Sequence, residues 1–145
     1  MSKLNVIFVL AGVLLAPTLL NAQSDRFREN FTLPVAQIDT NSFEVVEADG
    51  AGNSQMWCAA GLYARKGLGL RQGDLTITTP RGPSQSIPGR KGVVFSTVPV
   101  KGAFPSVWPG LRKAGRSYRI AHAFALCSEL DHIAVRTGPN TLLRR

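Results

Sequence analysis

The sequence predicts a single small domain of the α+β class, with two short helices packed on a small antiparallel sheet and joined by one disulfide. Its 145 residues are too few for two separate hydrophobic cores. Four segments show the two-residue alternation of strands, and two show the spacing of helices. The chain has only two cysteines, Cys58 and Cys127, and one lies in each expected helix.

Residues 1–22 have the pattern of a secretory signal peptide. The apolar run at 6–16 is shorter than the roughly 20 residues that a membrane-spanning helix needs. Pro17 ends this run, and Ala22 supplies a small residue at the expected cleavage site before Gln23. We therefore expect an exported protein, periplasmic or secreted, without a membrane span once the signal is removed. An uncleaved N-terminal anchor is the alternative.

Residues 23–41 are polar and follow no clear period, so we expect an irregular N-terminal arm there. The α+β domain should then occupy residues 42–145. Its first strand is predicted at 42–48, where apolar and polar side chains partly alternate. The pair Asp49-Gly50 follows and is typical of a turn.

The first helix is predicted at residues 54–66. Ser54 is a capping residue, two cations lie in the last turn, and Gly67 follows the helix. The larger apolar side chains of this segment could form a ligand-binding group, but at helical spacing core packing is the favoured interpretation. These side chains are Met56, Trp57 and Tyr63.

Residues 75–79 and 92–98 are rich in β-branched side chains and predict a hairpin. The twelve residues between them, 80–91, are mostly turn formers and include three cations. Connections of this length are either functional or mobile. Residues 99–110 contain several prolines and glycines, and we expect them to be irregular.

Residues 117–130 fit two structures. From Tyr118 to Leu126, every second residue has a large side chain, which is the alternation of a strand. In contrast, Ile120, Phe124 and Cys127 have the spacing of one face of a helix. The interleaved alanines and a capping Ser117 favour a helix. A last strand is predicted at 132–137, before Gly138-Pro139.

The two cysteines predict a structural disulfide. Exported proteins keep disulfides, and two cysteines allow one intramolecular pairing. The chain-entropy model values a loop of this length at about 4 kcal/mol. The alternative is a nucleophilic thiol activated by His122 or His132, but such a thiol needs a positive setting and an orienting group. No metal site or cofactor is expected, because the Cys and His residues lack the close paired spacing of zinc ligands.

The charges are unevenly distributed. Residues 25–64 hold two cations and six anions, and residues 65–145 hold fourteen cations and three anions. We expect an anion-binding surface for an envelope component such as lipid headgroups or acidic polysaccharide, or for an acidic protein. The alternative is a solvated basic face without a ligand. Nucleic acid is not expected, because the few aromatic residues are not interleaved with the cations. The candidate residues are Arg81, Arg90, Lys91, Arg112, Lys113, Arg116 and Arg119.

The sequence contains no recognisable catalytic signature, and we expect a non-catalytic binding or structural protein of the cell envelope. One alternative is a small nuclease-like hydrolase that uses His122 and His132, with Glu129 or Asp131 orienting one of them. A second alternative is an inhibitor of an acidic secreted enzyme, since the basic charge disfavours basic targets.

Overall fold

The computed structural model describes residues 31–129 and 133–144, and these ranges contain eight strands and two α-helices. The strands are β1 (Phe31–Asp39), β2 (Ser42–Val46), β3 (Asp74–Pro83), β4 (Lys91–Ser96), β5 (Phe104–Pro105), β6 (Arg116–Arg119), β7 (Ile133–Arg136) and β8 (Leu142–Arg144). Helix α1 (Asn53–Leu62) continues into a π-helical turn (Tyr63–Gly67), and helix α2 (Ile120–Ala125) into a 3-10 turn (Leu126–Glu129). Residues 1–22, where the signal peptide is expected, lie outside these ranges.

The strands form one mixed sheet in the order β5-β6-β3-β4-β2-β1-β7-β8. The α+β class is confirmed, but the expectation of a small, purely antiparallel sheet is wrong. Two pairs, β1 with β7 and β5 with β6, are parallel. Because β1 and β7 come from opposite ends of the described chain, their pairing has no local signal in the sequence.

The expected irregular arm at 23–41 contains strand β1 from Phe31 onward, and residues 23–30 lie outside the described ranges. Pro34 lies inside this strand, although proline is rare inside central strands. In the structure, β1 changes partner at Pro34. The part before it pairs with β7, and the part from Val35 pairs with β2. Leu33 and Val35 both face the core.

Both interpretations of residues 117–130 are partly right, because the structure changes type within this segment. The residues Arg116–Arg119 form strand β6, and the chain then turns directly into helix α2 at Ile120. The two overlapping periodicities therefore belong to two successive elements. Cys127 lies in the 3-10 turn after α2, not in the helix itself.

Helix α1 lies in the centre of the core, and every residue from Met56 to Leu62 is buried. The indole of Trp57 lies 4.9 Å from the ring of Phe95 and 4.6 Å from the ring of Tyr118, measured between ring centroids. The predicted core role of the large apolar residues in this segment is thus confirmed. In the described ranges, no helix is long and apolar enough to cross a bilayer.

The predicted disulfide is confirmed. It joins Cys58 in α1 to Cys127 in the 3-10 turn after α2, with 5.0 Å between the two Cα atoms. Both residues are buried, with exposures of 0% and 1%. The bridge therefore links the central helix to the chain segment that leads into β7.

Candidate anion-binding site

The hairpin of β3 and β4 carries the site, and its tip is shorter than the sequence predicts. Strand β3 continues through Pro83, so only residues 84–90 form the loop. Two register shifts occur along this pair, one between Ile77 and Thr79 and one between Thr79 and Gly82. Such bulges increase the local twist and bend of a strand. Of the expected twelve-residue tip, residues 80–83 and 91 therefore belong to the strands, and the remaining seven form the loop.

A buried carboxylate holds this loop in place. Glu44 on β2 is only 1% exposed and lies on the face of the sheet opposite the core residues Phe43 and Val45. Its Oε1 accepts a hydrogen bond from the backbone N–H of Gln85 at 2.8 Å. Its Oε2 accepts one from the backbone N–H of Ser86 at 2.9 Å, and from the hydroxyls of Ser84 and Ser86. The carboxylate thus satisfies four donors of a loop that is forty residues distant in sequence.

Gly92 makes room for this carboxylate on the neighbouring strand. A Cβ atom at position 92 would lie 2.8 Å from Cδ of Glu44 and closer still to its Oε1. A glycine inside a strand often marks such a close approach. Glu44 and Gly92 together therefore position the loop, and the sequence analysis did not identify either residue.

We expect Glu44→Gln to lower the free energy of unfolding by about 1 to 3 kcal/mol, as for loss of a hydrogen bond to a charged group. If the amide oxygen takes the place of Oε2, the amide nitrogen faces the N–H of Gln85, and two donors oppose each other. Urea denaturation checks the value. The matched control is Glu47→Gln, which removes a partly exposed ion pair of about 0.2 to 1 kcal/mol. Equal losses in the two variants would contradict a special role for Glu44.

Glu47 and Arg81 form an ion pair beside the loop. Nε of Arg81 donates to Oε2 of Glu47 at 2.9 Å, and both side chains are about one quarter exposed. Nη1 of Arg90 approaches the backbone oxygen of Glu47 at 3.5 Å. Two glutamates of the acidic half of the chain are thus bound by the basic hairpin.

Four of the predicted anion-binding residues surround one open cavity of about 680 Å³, and we call it the basic cavity. Arg81 comes from β3, Arg90 and Lys91 from the loop and the start of β4, and Arg112 from the segment before β6. The backbone N–H of Arg81 donates to the oxygen of Leu111 at 2.8 Å, which brings Arg112 to the hairpin. Leu111 is itself buried, so this junction is part of the core.

Three of these four cations are free of ion pairs within the part of the chain that the structure describes. The ion pair recorded there joins Arg81 to Glu47. Arg90, Lys91 and Arg112 are all exposed. The cavity is therefore bordered by three cations that make no ion pair in the described ranges and by one that is paired, and Arg90 and Lys91 also border a second cavity with Glu47 and Asp49.

The other three predicted residues lie elsewhere. Lys113 places its Nζ 5.0 Å from the ring centroid of Phe104. Arg116 is half-buried and donates to the hydroxyl of Ser106 and the backbone oxygen of Trp108 at 2.5 and 2.8 Å. Arg119 borders a separate cavity of about 530 Å³. Arg116 thus organises a loop, and Arg119 is not part of the basic cavity.

The alternative catalytic residues are only partly described. His122 is exposed on α2, and its ring centroid lies 4.5 Å from that of Tyr118. Burial raises the pKa of Tyr118, although its hydrogen bond with Ser106 and the charge of Arg116 act in the opposite direction. His132 and Asp131 lie outside the described residues, as does the side chain of Glu129. Among the described residues, no cluster of His, Cys, Asp or Glu could hold a metal ion.

Comparisons of this chain with protein-family models, with curated proteins and with solved structures give no match. The chemistry of the basic cavity and its surroundings is therefore the basis on which a function can be proposed.

Proposed function

We propose that this chain is an exported, non-catalytic binding protein of the cell envelope, and that its basic cavity binds an anionic partner through phosphate or carboxylate groups. The observation that carries the proposal is the convergence of Arg90, Lys91 and Arg112, from two distant segments, on one open cavity. An anionic envelope component and an acidic protein both offer such groups.

The grouping of these cations at one cavity matters because isolated surface cations contribute little to the binding of an anion. Exposed charges are screened beyond a Debye length of about 8 Å at physiological salt. Cations that surround one cavity can act together on a ligand with several negative charges. Arginine also donates two parallel hydrogen bonds to one phosphate or carboxylate, which adds geometric preference to the attraction.

The proposal of a non-catalytic role has its support in the lining of the cavity. Besides the four cations, the cavity is bordered by Gly82, Pro83 and Gly89. Arginine and lysine side chains can hold an anion through charge-assisted hydrogen bonds, and the lining described for this cavity includes no His, Cys, Asp or Glu. Export is supported by the signal-like pattern of residues 1–22 and by the disulfide, which persists in oxidising compartments.

We expect the triple substitution Arg90→Glu, Lys91→Glu and Arg112→Glu to weaken retention on an anionic matrix by about tenfold or more, since every 1.4 kcal/mol of lost attraction is tenfold in affinity. The matched control reverses three exposed cations away from the cavity, Lys66, Arg136 and Arg144. Both variants change the net charge equally. The salt concentration needed for elution is the measurement.

Equal loss in both triple variants would reduce the effect to general charge and contradict the proposal. His122→Ala should leave retention unchanged, because His122 does not border the basic cavity. Loss of a hydrolytic activity on His122→Ala would instead support the hydrolase alternative.

A further inference from the structure

Two adjacent apolar side chains project from the loop between β5 and β6, and we call them the apolar tip. Val107 is 88% exposed and Trp108 is 74% exposed. The other large apolar side chains that are exposed in the described ranges, among them Val98 and Leu142, are each near 40%. Contiguous exposed apolar side chains mark surfaces that contact a protein, a ligand or a membrane.

The backbone of this loop is fixed by hydrogen bonds. The hydroxyl of Ser106 donates to the backbone oxygen of Trp108 at 2.6 Å, and the backbone N–H of Trp108 donates back to that hydroxyl at 3.3 Å. Nη1 of Arg116 donates to the same backbone oxygen at 2.8 Å. Pro105 and Pro109 restrict φ on either side. The backbone that carries the apolar tip is therefore fixed by hydrogen bonds, and both side chains project into solvent.

Cations lie close to the apolar tip along the chain, and two of them also lie close to its loop in the fold. Residues 75–128 contain eight cations and no aspartate or glutamate. Lys113 and Arg116 both lie against Phe104, the first residue of β5, at 5.0 and 5.9 Å from its ring centroid. Arg112 precedes Lys113 and borders the basic cavity. The apolar tip and the basic cavity are thus connected through one short segment.

We propose that the anionic partner is the surface of a lipid bilayer, with Val107 and Trp108 inserted among the headgroups and the surrounding cations on the lipid phosphates. This inference rests on the proposed function, which gives the protein an anionic partner, and it adds that this partner is a lipid surface. Tryptophan prefers the depth of the headgroups, where its ring is apolar and its N–H remains hydrated. Cations beside an anionic leaflet add attraction that falls off within a Debye length.

A bilayer fits both features better than the other anionic partners. A soluble acidic polysaccharide would contact the cations but would leave Val107 in water. A protein partner would need a specific interface of about 800 Å² on each side, with more apolar surface than two side chains supply. A lipid surface offers phosphate charge and an apolar layer within a few ångströms, and needs only shallow insertion.

The test uses vesicles of phosphatidylcholine, with and without phosphatidylglycerol, and the protein as it is purified after expression, with its N-terminus identified by intact mass. We expect binding to the anionic vesicles and little binding to pure phosphatidylcholine. The double variant Val107→Ser, Trp108→Ser should bind the anionic vesicles at least tenfold more weakly than the parent. The control Val98→Ser, Leu142→Ser should change binding less than twofold. All these proteins share one N-terminus, so any contribution of that segment cancels.

Tryptophan fluorescence gives a second readout, because Trp57 is fully buried and Trp108 is exposed. Anionic vesicles should shift the emission to shorter wavelength and protect it from iodide. Brominated lipids should quench the emission. Trp108→Phe should keep most of the vesicle affinity but lose these spectral changes, which assigns them to position 108.

The outcomes separate the inference from the proposed function. Retention on an anionic matrix without vesicle binding would overturn the lipid inference and leave the proposed function in place, with a polysaccharide or an acidic protein as partner. A vesicle affinity that falls no further in the Val107, Trp108 variant than in its control would also overturn the inference. If the triple cavity variant lowers neither matrix nor vesicle binding beyond its own control, both proposals are wrong.

Discussion

Replacing Cys58 and Cys127 together with alanine is expected to lower the free energy of unfolding by about 2 to 5 kcal/mol while the fold stays recognisable. The bridge closes a loop across a sequence separation of 69, so its loss frees a large part of the unfolded chain. Both side chains lie in the core, and alanine avoids placing a serine hydroxyl there without a partner. The measurement is the urea midpoint of the oxidised parent against that of the double variant.

The reduced parent is the control for this prediction. With dithiothreitol present, it should unfold close to the double variant, and before reduction iodoacetamide should add no mass to the folded parent. The described residues contain no free cysteine. A midpoint that is the same with and without the bridge would contradict its stabilising role, and alkylation of the unreduced protein would restore the interpretation of a reactive thiol.

We expect Gly61→Val to lower the free energy of unfolding by about 3 kcal/mol or more, which is at the upper end of overpacking costs. Gly61 lies in α1 where α2 crosses it. A Cβ atom there would lie 2.7 Å from the carbonyl carbon of Ala123 and 2.9 Å from Cα of Phe124. These are backbone atoms, so no side chain can rotate out of the way, and α2 must move as a unit. The better helix propensity of valine offsets only part of the cost, by less than about 1 kcal/mol.

The control for this variant is Gly138→Val, at a glycine whose added Cβ would meet nothing within 4 Å. Because this position is open, Gly138→Val should change the free energy of unfolding by no more than about 0.5 kcal/mol. Thermal or urea unfolding compares the two variants. If Gly61→Val unfolds with the midpoint of Gly138→Val, the two helices do not approach as closely as the geometry requires.

Local signals in the sequence were enough to predict α1, β2 and the disulfide. Helix α1 has its apolar side chains at helical spacing, although it starts at Asn53 rather than after Ser54, and the expected terminal Gly67 is the last residue of the π-helical turn. Two cysteines allow a single pairing, so the bridge needed no knowledge of the fold. The helix and the strand were predicted from the spacing of side chains within one element, and the disulfide was predicted from the number of cysteines.

The sequence did not indicate the burial of two side chains that matter for the sites described above. A tryptophan is usually buried, and nothing around Trp108 indicated the high exposure that the structure records. A glutamate in a strand is usually exposed, yet Glu44 is buried, because a loop forty residues later folds over it. Both outcomes depend on hydrogen bonds between segments that no local period reflects.

Composition and short-range periodicity of this chain determined its class, its central helix, its covalent bridge and its excess of cations. Contacts between distant segments decided which strands pair and which of those cations lie together. Strand β1 joins β7 across about a hundred residues, and the bond from Arg81 to Leu111 brings Arg112 to the hairpin while Arg119 lies at another cavity. Strand pairing and side-chain burial are set by the global packing of the chain, because each local segment can satisfy its backbone with more than one partner.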